Sequence, residues 1–141
     1  MKPKRNLLKK KVGAFTLTEL LVVLAIIGIL VTLLTPSMLK FITKAKNVEA
    51  KTQLAYLQTL QQSYYYEHSR YSNDLVELGY EQGKLVSEGK DGRSNYRIEI
   101  VSADNTSFTA RAISVSDFNG NGKFNIWEVD QDRNIKEVIP D

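Results

Sequence analysis

GAFTLTELLVVLAIIGILVTLLTPSML, residues 13–39, sets the architecture of this chain. Within it, Leu20–Leu39 runs for 20 residues without a formal charge. A helix of that length is about 30 Å long and crosses a hydrocarbon core. On its N-terminal side, Lys2, Lys4, Arg5, Lys9, Lys10 and Lys11 stand in the first fourteen residues with no acid among them. A basic run before an apolar stretch stays on the cytoplasmic side of a membrane. A secretory signal peptide also begins with positive charge, but its apolar part is shorter and a small-residue cleavage site follows it. Here the small pair Gly13-Ala14 precedes the apolar run, which places processing on the cytoplasmic side and leaves the helix on the mature protein.

Those six cations account for the basic character of the whole. They leave 13 of the 19 Lys+Arg against all 16 Asp+Glu, so the chain beyond residue 14 is acidic although the formal net charge is +3. The positive charge belongs to a membrane-orienting segment, and nucleic acid is set aside as the default partner. At 141 residues the chain has room for one domain of ordinary composition. The absence of cysteine removes disulfides, thiol catalysis and cysteine-based metal sites. No Ser/His/Asp arrangement, GxGxxG, phosphate loop or paired catalytic carboxylates occur, so no enzyme is expected.

Glu19 is out of place in an apolar helix, since a carboxylate at membrane depth costs a few kcal/mol unless paired or near the interface. Cleavage between Ala14 and Phe15 would create an α-amino group four residues from it, and the amine of a neighbouring subunit would neutralise it as helices pack side by side. Gly13-Ala14-Phe15-Thr16-Leu17-Thr18-Glu19-Leu20-Leu21 resembles the processing motif of type IV pilins and pseudopilins. The resemblance implies a cut by a prepilin peptidase before Phe15, N-methylation of Phe15, and a role for Glu19 in subunit register. Ala14 stands where the family usually has Gly, and Thr18 where it often has an apolar residue. Pro36, 22 residues into the expected mature chain, also matches the family; there it removes a helical hydrogen bond and kinks or loosens the helix.

From Lys40 to Glu67 there is no Pro or Gly, and the helix is expected to continue. Leu54, Leu57, Gln61 and Tyr64 make one stripe, predicted to face a sheet; Ala45, Val48, Thr52 and Ala55 make a second, open to sister helices or to the subunit's own core. Tyr64, Tyr65 and Tyr66 point about 100° apart on a helix and read as anchors of its end, not a stack. His68 has no nucleophile or metal-ligand spacing near it and reads as a surface residue. Ser72 is expected to cap a short helix through Leu78, ended by Gly79. Strands are expected at 95–102, 107–115, 124–129 and 135–139, joined as an antiparallel meander. The fold class is therefore α+β: a long N-terminal helix packed on a small antiparallel sheet. Its parts are a leader at 1–14, a membrane or filament-core helix half at 15–39, and a head at 40–141. The head divides into helix 40–67, loop 68–94 and sheet 95–141.

One segment carries site chemistry. DFNGNGKFNIWE, residues 117–128, fits the D-x-[DN]-x-[DN]-G-x5-E pattern of a calcium loop at each specified position. Asp117, Asn119, Asn121, the Lys123 carbonyl, Asn125 and Glu128 are the expected ligands, with Asp130 and Asp132 as supplements, and the scarcity of carboxylates implies weak binding. The competing reading is an Asn/Gly-rich turn between strands.

The function expected is a structural subunit of a type IV pilus serving adhesion, motility or DNA uptake; the alternative is a pseudopilin of a type II secretion system. The partners expected are like or mixed pilin subunits, the prepilin peptidase, an inner-membrane assembly platform and membrane lipid before assembly. The location expected is the inner membrane in a single pass, then a surface pilus or periplasmic pseudopilus.

Overall fold

The computed structural model describes residues 13–140, with the side chains of residues 35–37 excepted. The expected leader falls almost wholly outside that range. The chain forms α1 (Leu17–His68), a single 3₁₀ turn (Val86–Glu88), and strands β1 (Tyr96–Ala103), β2 (Phe108–Ser114), β3 (Ile126–Asp130) and β4 (Ile135–Ile139). It divides into two compact units, the first ending at Ser37 and the second beginning at Met38. In the first, the described residues from Leu17 onward are helix; the second holds the rest of α1 and the sheet.

α1 tolerates its threonines because their hydroxyls return to the preceding turn: Thr32 donates to the Gly28 carbonyl, Thr52 to Val48 and Thr59 to Ala55, at 2.8–3.0 Å. It ends where Ser69 takes a left-handed φ of 53°, a role more often given to glycine. The four strands pair antiparallel in chain order, a meander whose members differ from the expected strands by a residue or two at their ends.

The core lies between the second half of α1 and one face of the sheet. Ala50, Leu54 and Leu57 are fully buried there with Tyr96, Ile98, Phe108, Ala110, Ala112, Trp127 and Val129. β2 shows the two-residue period most plainly, with Phe108, Ala110, Ala112 and Ser114 inward. The stripe Leu54, Leu57, Gln61, Tyr64 faces the sheet as the periodicity predicted, whereas Ala45, Val48, Thr52 and Ala55 are exposed and take no part in the core. Tyr65 stacks on Tyr71, which in turn tilts against Phe108, so this part of the tyrosine run anchors the helix end; Tyr66 is exposed.

Polar side chains close the head where strands do not reach. Gln61, fully buried, donates to the Ser72 carbonyl at 2.7 Å and accepts the Ser72 N–H at 3.0 Å, acting as a strand partner for one residue. Gln82 does the same for β1, with its amide bonded to the Tyr96 carbonyl and the Ile98 N–H. That blunts an edge that would otherwise offer unpaired backbone. Gly92 stands where a Cβ would meet the Leu85 carbonyl oxygen at 1.9 Å, so no other residue fits that crossing.

The short helix expected at 72–78 does not form. Asp74 Oδ1 takes the Val76 N–H, and the bonds from Gly79 N–H to Val76 and from Tyr80 N–H to Leu75 close a turn after one round. The Ser72 hydroxyl accepts the Asp74 N–H at 3.0 Å, as a cap would, and donates to Glu77 at 2.7 Å, but no helix follows it.

Candidate functional site

The first candidate site is the start of α1. Thr16 and Glu19 form a reciprocal cap: the Thr16 N–H and hydroxyl both donate to Glu19 Oε2 at 2.8 Å, and the Glu19 N–H donates to Thr16 Oγ1 at 3.3 Å. This is a capping box, which satisfies amides that a helix leaves without partners and sets a negative group at the positive end of the helix dipole. Its signal, Thr-x-x-Glu at 16–19, stands in the sequence, where the membrane cost of Glu19 points first to a partner from a neighbouring subunit. The structure gives it one within its own chain. Phe15, one residue before the cap, is 83% exposed.

Beyond the cap the apolar side chains are exposed. From Leu20 to Leu34 their exposure runs from 49% at Ile27 to 68% at Leu33. α1 is the helix among the described residues that is long and apolar enough to cross a membrane. Pro36 falls at the division between the two units, and its side chain lies outside the described residues.

The second candidate site is the loop between β2 and β3. Asp117 Oδ1 accepts N–H groups from Asn119, Gly120 and Asn121, and its Oδ2 accepts that of Gly122, at 2.6–3.2 Å. These amides, Gly122's foremost, hold its carboxyl below the usual carboxylate range. Gly120 and Gly122 make the turn possible with φ of 79° and 81°. Asn119 Oδ1 accepts the Asn121 N–H at 2.9 Å, and Asn121 Oδ1 the Lys123 N–H at 2.7 Å.

The structure brings Asp117, Asn119 and Asn121 together in that turn, and gives Asn125 and Glu128 other partners. Asn125 is fully buried: it accepts from the Tyr96 hydroxyl at 2.8 Å and donates to Glu137 at 2.7 Å and to the Ile139 carbonyl at 3.0 Å. Glu128 sits in a row crossing all four strands, in which Glu99 pairs with Arg111, Arg111 with Glu128, and Glu128 with Lys136. Its carboxylate meets Arg111 Nε at 2.6 Å and Lys136 Nζ at 3.6 Å. Opposite charges facing each other across strands stabilise a sheet, and the residue pattern shows that pairing only once the register is known. Asp130 closes the β3–β4 turn by accepting the N–H groups of Asp132 and Asn134. Among the described residues no group of three or more His, Asp or Glu is placed to hold a metal ion.

Comparison with family models matches residues 9–122 in two segments. Residues 9–35 match the family described as the prokaryotic N-terminal methylation motif, and residues 36–122 match the family described as type IV minor pilin ComP, DNA uptake sequence receptor. The chain belongs to the type IV pilin family. Among curated proteins, this pilin is 39% identical over 90 residues to the type IV major pilin protein PilA of Myxococcus xanthus (strain DK1622). The match covers 64% of the chain and 38% of that relative, so the chain spans well under two thirds of the relative's length. The family is one of structural pilins. The match to the ComP family ends at Gly122, inside the Asp117 turn.

Proposed function

We propose that this pilin is a filament-forming subunit of a type IV pilus, cut by a prepilin peptidase between Ala14 and Phe15, N-methylated on Phe15, and polymerised through the first half of α1. The observation that carries the reading is that uncovered apolar half, joined directly to a capped start at which Glu19 is already oriented. Exposed to water, such a surface is costly at roughly 25 cal/mol per Å². A membrane before assembly and sister helices after it supply the two apolar surroundings it needs. The capping box refines the part played by Glu19: its Oε2 holds the helix start, and the cut at Phe15 sets a new amine beside a carboxylate that has been positioned in advance. The exposed stripe Ala45, Val48, Thr52, Ala55 offers sister helices a separate surface on the second half of α1.

The partners that follow from this reading are like or mixed pilin subunits, the peptidase, an inner-membrane platform and lipid. The membrane is crossed once, with the head outside the cytoplasm. The family's description supports DNA uptake as one use of the filament, beside adhesion and motility. Service as a pseudopilin in type II secretion is the other reading compatible with the helix.

Calcium in the Asp117 loop is a proposal on narrower grounds. Asp117, Asn119, Asn121 and the Lys123 carbonyl are the residues that would hold it, since Asn125 and Glu128 are engaged elsewhere.

N-terminal mass spectrometry of the mature protein tests processing: a methylated Phe15 start is expected, and an intact Met1 refutes it. Glu19→Ala is expected to be cut normally yet to yield few or no filaments, and normal piliation in that variant would refute its part in assembly.

A further inference from the structure

The loop between β2 and β3 carries two Asn-Gly dipeptides in succession, Asn119-Gly120 and Asn121-Gly122, and all four residues are exposed. At such a dipeptide no Cβ shields the glycine nitrogen, which can attack the side-chain carbonyl carbon of the preceding asparagine. The nitrogen–Cγ bond forms, the Cγ–Nδ2 bond breaks, and Nδ2 leaves as ammonia, taking up the proton of the glycine amide. Solvent water then opens the cyclic imide at one carbonyl or the other, giving aspartate or isoaspartate, with nothing oxidised or reduced. Each event replaces a neutral amide with a carboxylate, a local change of charge of the kind that regulatory modifications use.

In this loop one side chain holds both attacking nitrogens. The Gly120 N–H donates to Asp117 Oδ1 and the Gly122 N–H to Asp117 Oδ2, each at 2.6 Å. The two targets are held as well, because each asparagine side chain is bonded two residues ahead and not to the adjacent glycine. Reaction at either site therefore requires a glycine amide to leave a charged acceptor and an asparagine to leave its own bond. Hydrogen bonds to charged groups are the stronger class, and short ones such as these raise the cost of opening.

We propose that Asn119 and Asn121 are charge-acquiring modification sites, and that Asp117, as a positioning residue acting through the amides of Gly120 and Gly122, sets how slowly they convert. The two sites are not equivalent. Oδ1 of Asp117 serves three amides and Oδ2 serves that of Gly122. In Asp117→Asn, the one remaining oxygen satisfies most by staying with the three, and the new NH₂ faces Gly122, whose N–H it cannot accept.

The test incubates the full-length chain in detergent with a chelator at mildly alkaline pH, and reads the gain of about 1 Da at each asparagine by peptide mass spectrometry. In the native wild type, both sites are expected to convert much more slowly than in the same protein denatured in urea. In Asp117→Asn, Asn121 is expected to convert roughly ten- to a hundredfold faster than in the wild type, the rate equivalent of one hydrogen bond to a charged acceptor. Asn119 is expected to change less. Equal rates in native and denatured wild type would overturn the proposal, whether or not the variant folds. So would an unchanged rate at Asn121 in the variant, or equal acceleration at both sites, which marks a general loosening.

Discussion

Replacing Gln61 with leucine sets two terms of opposite sign against each other. Leucine is close in volume to glutamine and more apolar, and position 61 is fully buried beside Leu57 and Gln58 on α1. Were burial of apolar surface the only term, the change would be neutral or stabilising. But the Gln61 amide is the partner of both backbone groups of Ser72, itself 3% exposed, at 2.7 and 3.0 Å. Removing it leaves one buried N–H and one buried carbonyl unsatisfied, at about 1–3 kcal/mol each. The two together cost about 2–6 kcal/mol, against which the more favourable transfer of leucine returns on the order of 1–2 kcal/mol. A net loss of about 2–3 kcal/mol lowers the midpoint of a head this size by roughly 10 °C. Thermal unfolding of the full-length chain in detergent, followed by far-ultraviolet circular dichroism, reads it directly. Leu57→Ala, a cavity with no polar partner, should cost about 2–5 kcal/mol and scales the measurement. A Gln61→Leu midpoint equal to or above that of the wild type would refute the assignment of Gln61 as a surrogate strand.

Glu128→Gln leaves Arg111 and Lys136 without their shared carboxylate; since those cations are 37% and 66% exposed, the loss is expected at about 1–2 kcal/mol in urea unfolding. A fully stable variant that had lost calcium affinity would move Glu128 to the ligand set instead. The carboxyl of Asp104 is lowered to about 2 by the N–H groups of Thr106 and Ser107. Its contribution is therefore present above its ordinary value of 3.8 and is lost as pH falls through about 2. The difference in midpoint between wild type and Asp104→Asn should shrink over that interval, and parallel profiles would refute the cause. Calcium at about ten times its dissociation constant should raise stability by roughly 1.4 kcal/mol, an effect that Asp117→Asn abolishes. No rise at tens of millimolar removes the calcium proposal and leaves a turn closed by its own amides.

Much of this fold was legible because its signals are local and periodic. The uncharged run Leu20–Leu39 needs only counting, and the stripe Leu54, Leu57, Gln61 needs only the period of a helix; both are helical in the structure. The strands were legible for the same reason, since Tyr96, Ile98 and Ile100 alternate and turn residues separate each strand from the next. Segment 72–78 failed because a helix and a single turn share the same start and stop residues. The Asp74 cap on the Val76 amide would start either one, and what separates them is that Gly79, at a φ of 70°, and the bond from the Tyr80 N–H to the Leu75 carbonyl close the chain after one round. The capping box at Thr16 and Glu19 is legible too in their three-residue spacing, but a carboxylate beside an apolar run carries the same residue type whether it caps its own helix or pairs with a neighbour.

The Asp117 loop shows where spacing stops being informative. A calcium loop and an amide-closed turn call for the same residues in the same order: an acidic group at the head, oxygens at alternate positions, and glycine where φ must be positive. Three residues after Gly122 they part, and the arbiter is distant in sequence. Asn125 is drawn inward by Tyr96 and Glu137, which lie 29 residues before it and 12 after it. Glu128 is claimed by Arg111, 17 residues back, because the register of β2 against β3 sets the two face to face. Neither claim is visible in residues 117–128 alone. The sheet that positions the loop also gives two of its six expected ligands partners of their own, so within the turn itself the contacts are those of Asp117 and the amides it holds.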